Sequence, residues 1–224
     1  MVRSIETVIF DMDGLMFDSE QLTLNCWIKS GEMMGSPVDP AVARETIGRN
    51  IRDTKNIMLE GHGDGFPFET VWKKRDELII SFVEESGTPL KPGLLTLLDF
   101  LEKEGIKRVV ATSTEKKRAE RMLACAGVLH RFDAIIYGDM VERGKPFPDI
   151  FQKAAEVCGS DTEACLVLED SPAGVEAAWR SGMRVFFIQD LIEPDIRTRE
   201  RYTAKLGDLT EVLPFLNGTR EFGE

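Results

Sequence analysis

An α/β fold with a doubly wound, Rossmann-like parallel sheet is predicted by two features of the sequence. Short, nearly continuous apolar runs recur along the chain, and helical patterns alternate with them. Strands covered on both faces read as such unbroken runs, and strand–helix alternation builds a parallel sheet. A third feature is the stretch 15–87, which has helical spacing and no clear strand. It predicts a helical insert after the first strand.

The elements follow in order. Val8-Ile9-Phe10, preceded by Ile5, is β-branched and aromatic, stops at Asp11 and reads as a buried strand. In the insert, Asp18 with Gln21 three residues later resembles a capping box that opens a helix toward Trp27 and Ile28. Gly61-His62-Gly63-Asp64-Gly65 reads as a loop. Val71, Trp72, Arg75, Leu78, Ile79, Phe82 and Val83 recur at helical spacing. The sheet resumes near Pro89-Leu90-Lys91-Pro92-Gly93. A helix over Leu94, Leu95, Leu97, Leu98 and Leu101 ends at Gly105 and leads into a strand at 106–111. Ala119, Met122, Leu123 and Ala126 mark a helix ended by Gly127, followed by a strand at 134–137. Pro148 opens a helix with Phe151, Ala154 and Ala155 on one face, ended by Gly159, before a strand at 165–168. Pro172 opens the next, ended by Gly182, before a strand at 184–188. Pro at the start and Gly just past the end is the expected helix punctuation.

The chain has 224 residues, 42% hydrophobic and 30% charged, which fits a globular protein and not a disordered one. Folding at this length buries roughly 70–75% of the unfolded surface. Lys+Arg is 28 against 39 Asp+Glu, a net charge of -11. That argues against broad nucleic-acid binding and against a polybasic membrane contact. An anionic substrate stays allowed, because local charge decides it. The four cysteines, Cys26, Cys125, Cys158 and Cys165, form no C-x-x-C pair, and His62 and His130 are the two histidines. Zinc therefore has few candidate ligands, and the scattered thiols suggest a reducing compartment. Met1-Val2-Arg3-Ser4 runs into an apolar stretch that meets Asp11 too early for a secretory segment. No run approaches the ~20 apolar residues of a membrane span. A cytoplasmic, monomeric protein with no membrane or nucleic-acid partner is expected.

Four groups of residues could carry chemistry. Asp11-Met12-Asp13-Gly14 ends the first strand, where open α/β sheets bind ligands. Glu169-Asp170 ends another apolar run. Each pair alone also reads as a turn or helix cap. If the two strands are neighbours, four carboxylates converge, and such a cluster asks for a hard cation, Mg²⁺ first. Thr112-Ser113-Thr114 lies between a strand and a helix, where hydroxyls and free N–H groups can bind an anion. Thr114 reads as an ordinary N-cap and Thr112 as the better phosphate contact. Lys145, in a loop stiffened by Pro146 and Pro148, would set one cation beside the acids. Cys125, Cys158 and Cys165 read as core, and His62 and His130 show no evident partner.

In that order, Asp11-Met12-Asp13-Gly14, Thr112-Ser113, Lys145-Pro146 and Glu169-Asp170 resemble the haloacid dehalogenase superfamily, over essentially the whole chain. The insert after the first motif resembles the branch with a helical cap, which includes β-phosphoglucomutase and many small phosphatases. The resemblance implies strand order 5-4-1-2-3, a core domain of residues 1–14 and 88–224 and a cap domain of 15–87. Hinges would lie near Leu15-Met16-Phe17 and Gly87-Thr88-Pro89. It implies Asp11 as the nucleophile that forms an aspartyl-phosphate and Asp13 as general acid/base. Thr112 and Lys145, with Ser113 nearby, would hold the phosphoryl oxygens. Asp11, Asp13 through its backbone carbonyl, and Asp170 would bind Mg²⁺, with Glu169 supporting it. True dehalogenases usually lack the second acid, so Asp13 points to phosphate chemistry. Glu20, Arg49, Asn50 and Lys74 are the candidate substrate readers in the cap, with Gly48-Arg49-Asn50 resembling the family's cap loop. Solvated surface is the competing reading for Lys74.

The function this implies is a Mg²⁺-dependent phosphatase of small phosphorylated metabolites, sugar phosphates or nucleoside monophosphates. The alternative within the family is a sugar phosphomutase. Its cap His is expected five residues after the Asp that matches Asp18, and Thr23 stands there. A phospho-acceptor signalling module also combines strand-end acids, a Thr and a Lys, but it is much shorter and has no such insert. A metabolite-binding protein without turnover is disfavoured by the intact Asp11 and Asp13.

Overall fold

The computed structural model describes residues 4–221, so Met1-Val2-Arg3, read above for a leader segment, lie outside the described residues. The strands are β1 (Thr7–Phe10), β2 (Lys107–Ala111), β3 (Ala134–Ile136), β4 (Cys165–Glu169), β5 (Arg184–Ile188) and β6 (Ala204–Leu206). They form one sheet in the order β3-β2-β1-β4-β5-β6. Every pairing is parallel, with Ile9 opposite Val109 on one side and Val167 on the other. Successive side chains point to opposite faces. Val8, Phe10, Val110, Leu168 and Phe186 therefore join one core, and Ile9, Val109, Val167, Val185 and Phe187 the other.

The first core is closed by α5 (Leu94–Lys103) and α6 (Lys116–Cys125), the second by α7 (Asp149–Cys158) and α8 (Pro172–Arg180). These four helices end where the Pro and Gly signals put their ends. Gly105, Gly127, Gly159 and Gly182 all carry positive φ, which terminates a helix without a Cβ clash. The implied order 5-4-1-2-3 holds for five strands. The sixth strand was not expected: it is Ala204-Lys205-Leu206, only three residues long with a polar centre, and it adds to the edge beyond β5.

The insert, between β1 and α5, holds four helices: α1 (Glu20–Met33), α2 (Pro40–Glu45), α3 (Ile51–His62) and α4 (Phe68–Ser86). They close a core of their own around Trp27, Met58, Phe68 and Val71. The chain enters and leaves this insert side by side. Asp18 N–H donates to Pro89 O at 3.0 Å and Lys91 N–H to Met16 O at 2.9 Å. No helix among the described residues is long and apolar enough to cross a membrane.

Three local expectations are corrected. Asp18 is not the cap of α1; Ser19 holds that position, and the mostly exposed Asp18 pairs with Lys91 instead. Gly61 and His62 belong to α3, and the loop begins at Gly63, whose positive φ ends the helix. His62 has partners: Nε2 accepts the N–H of Asp39 at 2.9 Å, and the ring stacks on Phe66.

Candidate active site

β1 has β2 on one side and β4 on the other, so the carboxyl ends of these three strands bring Asp11, Thr112 and Glu169-Asp170 together. This is the edge of a parallel sheet where ligands bind. Lys145 comes to the same place from the loop after β3. Its ammonium is buried and donates to Asp11 Oδ1 and, at 2.6 Å, to Glu169 Oε1. Burial alone would lower its pKa, but Asp11 and Glu169 prevail and hold it above the ordinary lysine range.

Glu169 has both oxygens committed. Oε1 takes Lys145, and Oε2 accepts Asp170 N–H, Ser171 N–H and Ser171 Oγ at 2.9–3.0 Å. Of the four acids expected at a cation, it therefore acts as the anchor of Lys145 and of the α8 N-terminus rather than as a ligand with a free oxygen. Asp11 is pushed up to about 7, first by burial, against Lys145 and with Glu169 adding to it. Asp170 is raised well above the carboxylate range by burial and then by Glu169, Asp11, Glu20 and Asp190. Its Oδ1 is buried with no hydrogen-bond partner.

The residues fit a hard divalent cation. Two buried carboxylates, Asp11 and Asp170, repel each other, and one has an oxygen with no donor. Among the described residues no three His, Cys, Asp or Glu side chains form a metal-ligand group. A set of two carboxylates and the Asp13 carbonyl needs no third side chain. The Asp13 carboxylate is held by two hydroxyls. Ser19 Oγ donates to Oδ1 at 2.8 Å and Thr114 Oγ1 to Oδ2 at 2.7 Å. Thr114 is thus a partner of Asp13 and not the cap of α6, which falls to Glu115.

A small cavity opens above Asp11 and Asp13. The insert supplies Glu20, Thr23, Arg49, Trp72 and Arg75 to its walls, and the sheet side supplies Thr112, Ser113 and Arg118. Lys145 and Asp170 are not among its lining residues. Thr112 is buried, and its Oγ1 accepts Thr114 N–H at 3.0 Å. The Ser113 hydroxyl, expected near the phosphoryl group, donates to Gly48 O at 3.1 Å and so latches the insert to the sheet.

Of the four expected substrate readers, Glu20 and Arg49 line the cavity. Glu20 is buried and its carboxyl is pushed up to about 8, by burial first and then by Asp13 and Asp11. Asn50 and Lys74 are elsewhere. Asn50 caps α3 by accepting Asp53 N–H at 2.9 Å, and it packs on Gly144, so it holds the insert against the Lys145 loop. Lys74 pairs with Glu77 at 3.2 Å on the outer surface of α4.

Two cavity residues escaped the sequence reading. Arg75 is buried, with its guanidinium 3.6 Å over the Trp72 ring and 4.6 Å over Trp27. Burial pushes it down to about 10, with Arg118 adding to the effect. Arg118 donates to Thr114 Oγ1 at 2.5 Å, and Asp76 Oδ1 accepts from both arginines. The signal was an Arg inside the apolar stripe of α4, where a solvated cation has no place.

A family model described as "haloacid dehalogenase-like hydrolase" matches residues 5–182. The Phosphorylated carbohydrates phosphatase of Thermotoga maritima is 32% identical, over 80% of this chain and 82% of that protein. The Fructose-1-phosphate phosphatase YqaB of Escherichia coli is 29% identical, over 79% of this chain and 92% of that one. The crystal structure of CbbY from Rhodobacter sphaeroides in complex with phosphate superposes with a TM-score of 0.80. It is 24% identical and covers 93% of this chain and 96% of its own, a likeness of fold.

Proposed function

The chain belongs to the haloacid dehalogenase-like hydrolases, and from that premise we propose that it is a Mg²⁺-dependent phosphatase of small phosphorylated metabolites, phosphorylated carbohydrates first. The observation that carries this is the buried Lys145 ammonium against Asp11 at the mouth of the sheet. It fixes the rotamer of the nucleophile and sets a permanent positive charge where a phosphoryl group would meet Asp11.

In the first step an Asp11 oxygen attacks phosphorus, and the phosphorus–oxygen bond to the alcohol breaks. Asp13 gives its proton to that leaving oxygen. In the second step water attacks phosphorus, its proton returns to Asp13, and Asp11 and inorganic phosphate separate. Ser19 and Thr114 orient Asp13 for both transfers. Thr112 and Lys145 hold the phosphoryl oxygens. Asp11, Asp170 and the Asp13 carbonyl would hold Mg²⁺, which supplies charge neutralisation for the phosphoryl group and Asp11. The insert acts as a cap that excludes water, and Glu20, Arg49, Arg75 and Arg118 read the rest of the substrate.

Thr23 favours the phosphatase over the mutase reading. It lines the cavity at the position where a mutase would present a His, and it cannot exchange a proton near neutral pH. The test is a panel of phosphorylated sugars and nucleoside monophosphates with Mg²⁺, read by free phosphate, with Asp11→Asn as control. Release by the wild type and not by the control supports the assignment. Release by neither, or equal release by both, overturns it. With β-glucose 1-phosphate and glucose 1,6-bisphosphate, glucose 6-phosphate forming faster than free phosphate would select the mutase.

A further inference from the structure

Asp190 is an acid at the proposed cation site with no part in the chemistry. It follows β5, one strand beyond β4, and its side chain is only 8% exposed. A Cβ on Gly14 would stand 2.2 Å from Asp170 Oδ2 and 3.1 Å from Asp190 Oδ2, so both carboxylates crowd the same point above Gly14. Each also keeps one buried oxygen without a partner, Oδ1 of Asp170 and Oδ2 of Asp190. The Asp170 oxygen nearest Gly14 is Oδ2 and not its orphan Oδ1, whereas the Asp190 oxygen there is the orphan itself. Buried polar atoms are ordinarily hydrogen-bonded, so an orphan oxygen on each of two crowded carboxylates points to a cation and its donors.

The other oxygen of Asp190 is taken. Lys91 Nζ donates to Oδ1 at 2.5 Å and also lies 3.2 Å from Asp18 Oδ1. Lys91 stands where the chain leaves the insert and Asp18 where it enters. The Lys91 ammonium thus sets a positive charge against Asp190, beside Asp170.

We propose that Asp190 is a positioning residue of the cation site: its free Oδ2 accepts a hydrogen bond from a water carried by Mg²⁺, while Lys91 fixes its other oxygen and ties the site to both linkers of the insert. The inference rests on the assignment of Mg²⁺ to Asp11 and Asp170. Direct ligation is disfavoured, because neighbouring strands stand about 4.8 Å apart and Asp170 lies between β1 and Asp190. Partners of this kind change metal affinity by about 10–100-fold.

The test uses Mg²⁺ alone, titrated calorimetrically into metal-free wild type, Asp190→Asn and Asp190→Ala, with the melting temperature of each metal-free protein. Asp190→Asn keeps an acceptor for Lys91 and removes the charge facing the cation. Both variants are expected to weaken Mg²⁺ binding about tenfold or more, while metal-free Asp190→Asn melts no lower than wild type. An Asp190 that serves only to anchor Lys91 gives the opposite pattern: an Mg²⁺ dissociation constant within about twofold of wild type and a lower melting temperature. That result, or loss of folding in both variants, overturns the proposal. A wild type that binds no Mg²⁺ instead overturns the metal assignment beneath it.

Discussion

Lys145 carries a full charge into a place with almost no solvent, and only Asp11 and Glu169 make that tolerable. Lys145→Met would leave two buried carboxylates without their cation. Removing one partner of a buried ion pair typically costs about 3–5 kcal/mol. Chemical denaturation should register a loss of that size, and an unchanged midpoint contradicts the arrangement. Asp11→Asn is milder, because Lys145 keeps Glu169 and an amide oxygen as partners. It removes the attacking charge, so phosphate release should fall to background with a smaller loss of stability than in Lys145→Met. Glu20 sets a pH dependence. Its carboxyl sits at about 8 in the folded protein, against about 4.3 for an unfolded Glu. Between those values the folded state holds a proton that the unfolded state has lost. Its contribution is therefore fully present below about 4.3 and is lost as pH rises toward 8. Metal-free wild type should melt progressively lower across that window, and Glu20→Gln less steeply. Asp11, at about 7, adds a loss of the same sign to both proteins. Parallel melting curves for the two would contradict the burial of Glu20.

At the scale of elements, the site depends on how α8 starts. Gly174 lies in its first turn, and a Cβ there would come within 1.7 Å of Glu169 Oε1. Glu169 cannot move aside, because donors from Lys145, Asp170 and Ser171 hold both its oxygens. Ala is the better helix former by about 1 kcal/mol, yet Gly174→Ala should lower both stability and activity. A more stable variant would refute that packing. The insert shows a similar coupling of cap and contact. Asn50→Ala removes the N-cap of α3, worth about 1 kcal/mol, and also the contact with Gly144 that holds the insert over the Lys145 loop. The helix ends themselves were legible, since Pro148, Pro172 and the four glycines at 105, 127, 159 and 182 act through local backbone sterics. The start of α1 was not. Asp18 and Ser19 are both good caps in isolation, and only the nearness of Lys91 to one and Asp13 to the other separates them.

For the molecule as a whole, the cavity is lined by the acids Asp11, Asp13 and Glu20 and by the cations Arg49, Arg75 and Arg118. An anionic group approaching the acids needs a counter-charge beyond Lys145. Exhaustive chelation should therefore abolish phosphate release and added Mg²⁺ restore it; activity that survives chelation rules the metal out. The insert and the sheet meet through Ser113 and Gly48, and through Asn50 and Gly144, directly over the site.

The succession of the first five strands and their helices, the helical insert and the motifs that follow the strands were determined by sequence, because apolar runs, Pro and Gly act over a few residues; the short, polar-centred β6 was not. The chain could also name Asp11, Asp13, Thr112, Lys145 and Asp170 as the residues that meet at one edge. Which of their atoms are free was decided only by the tertiary structure. Glu169 is consumed by Lys145, and Ser113 by the insert. Asp13 is held by Ser19 and by Thr114, 101 positions away along the chain. Lys74, Arg75 and Asn50 are all polar residues of the insert; the turn of α4 sends Lys74 to the surface and Arg75 into the cavity, while Asn50 caps α3. Such assignments depend on contacts between segments far apart in sequence, and no local pattern records them.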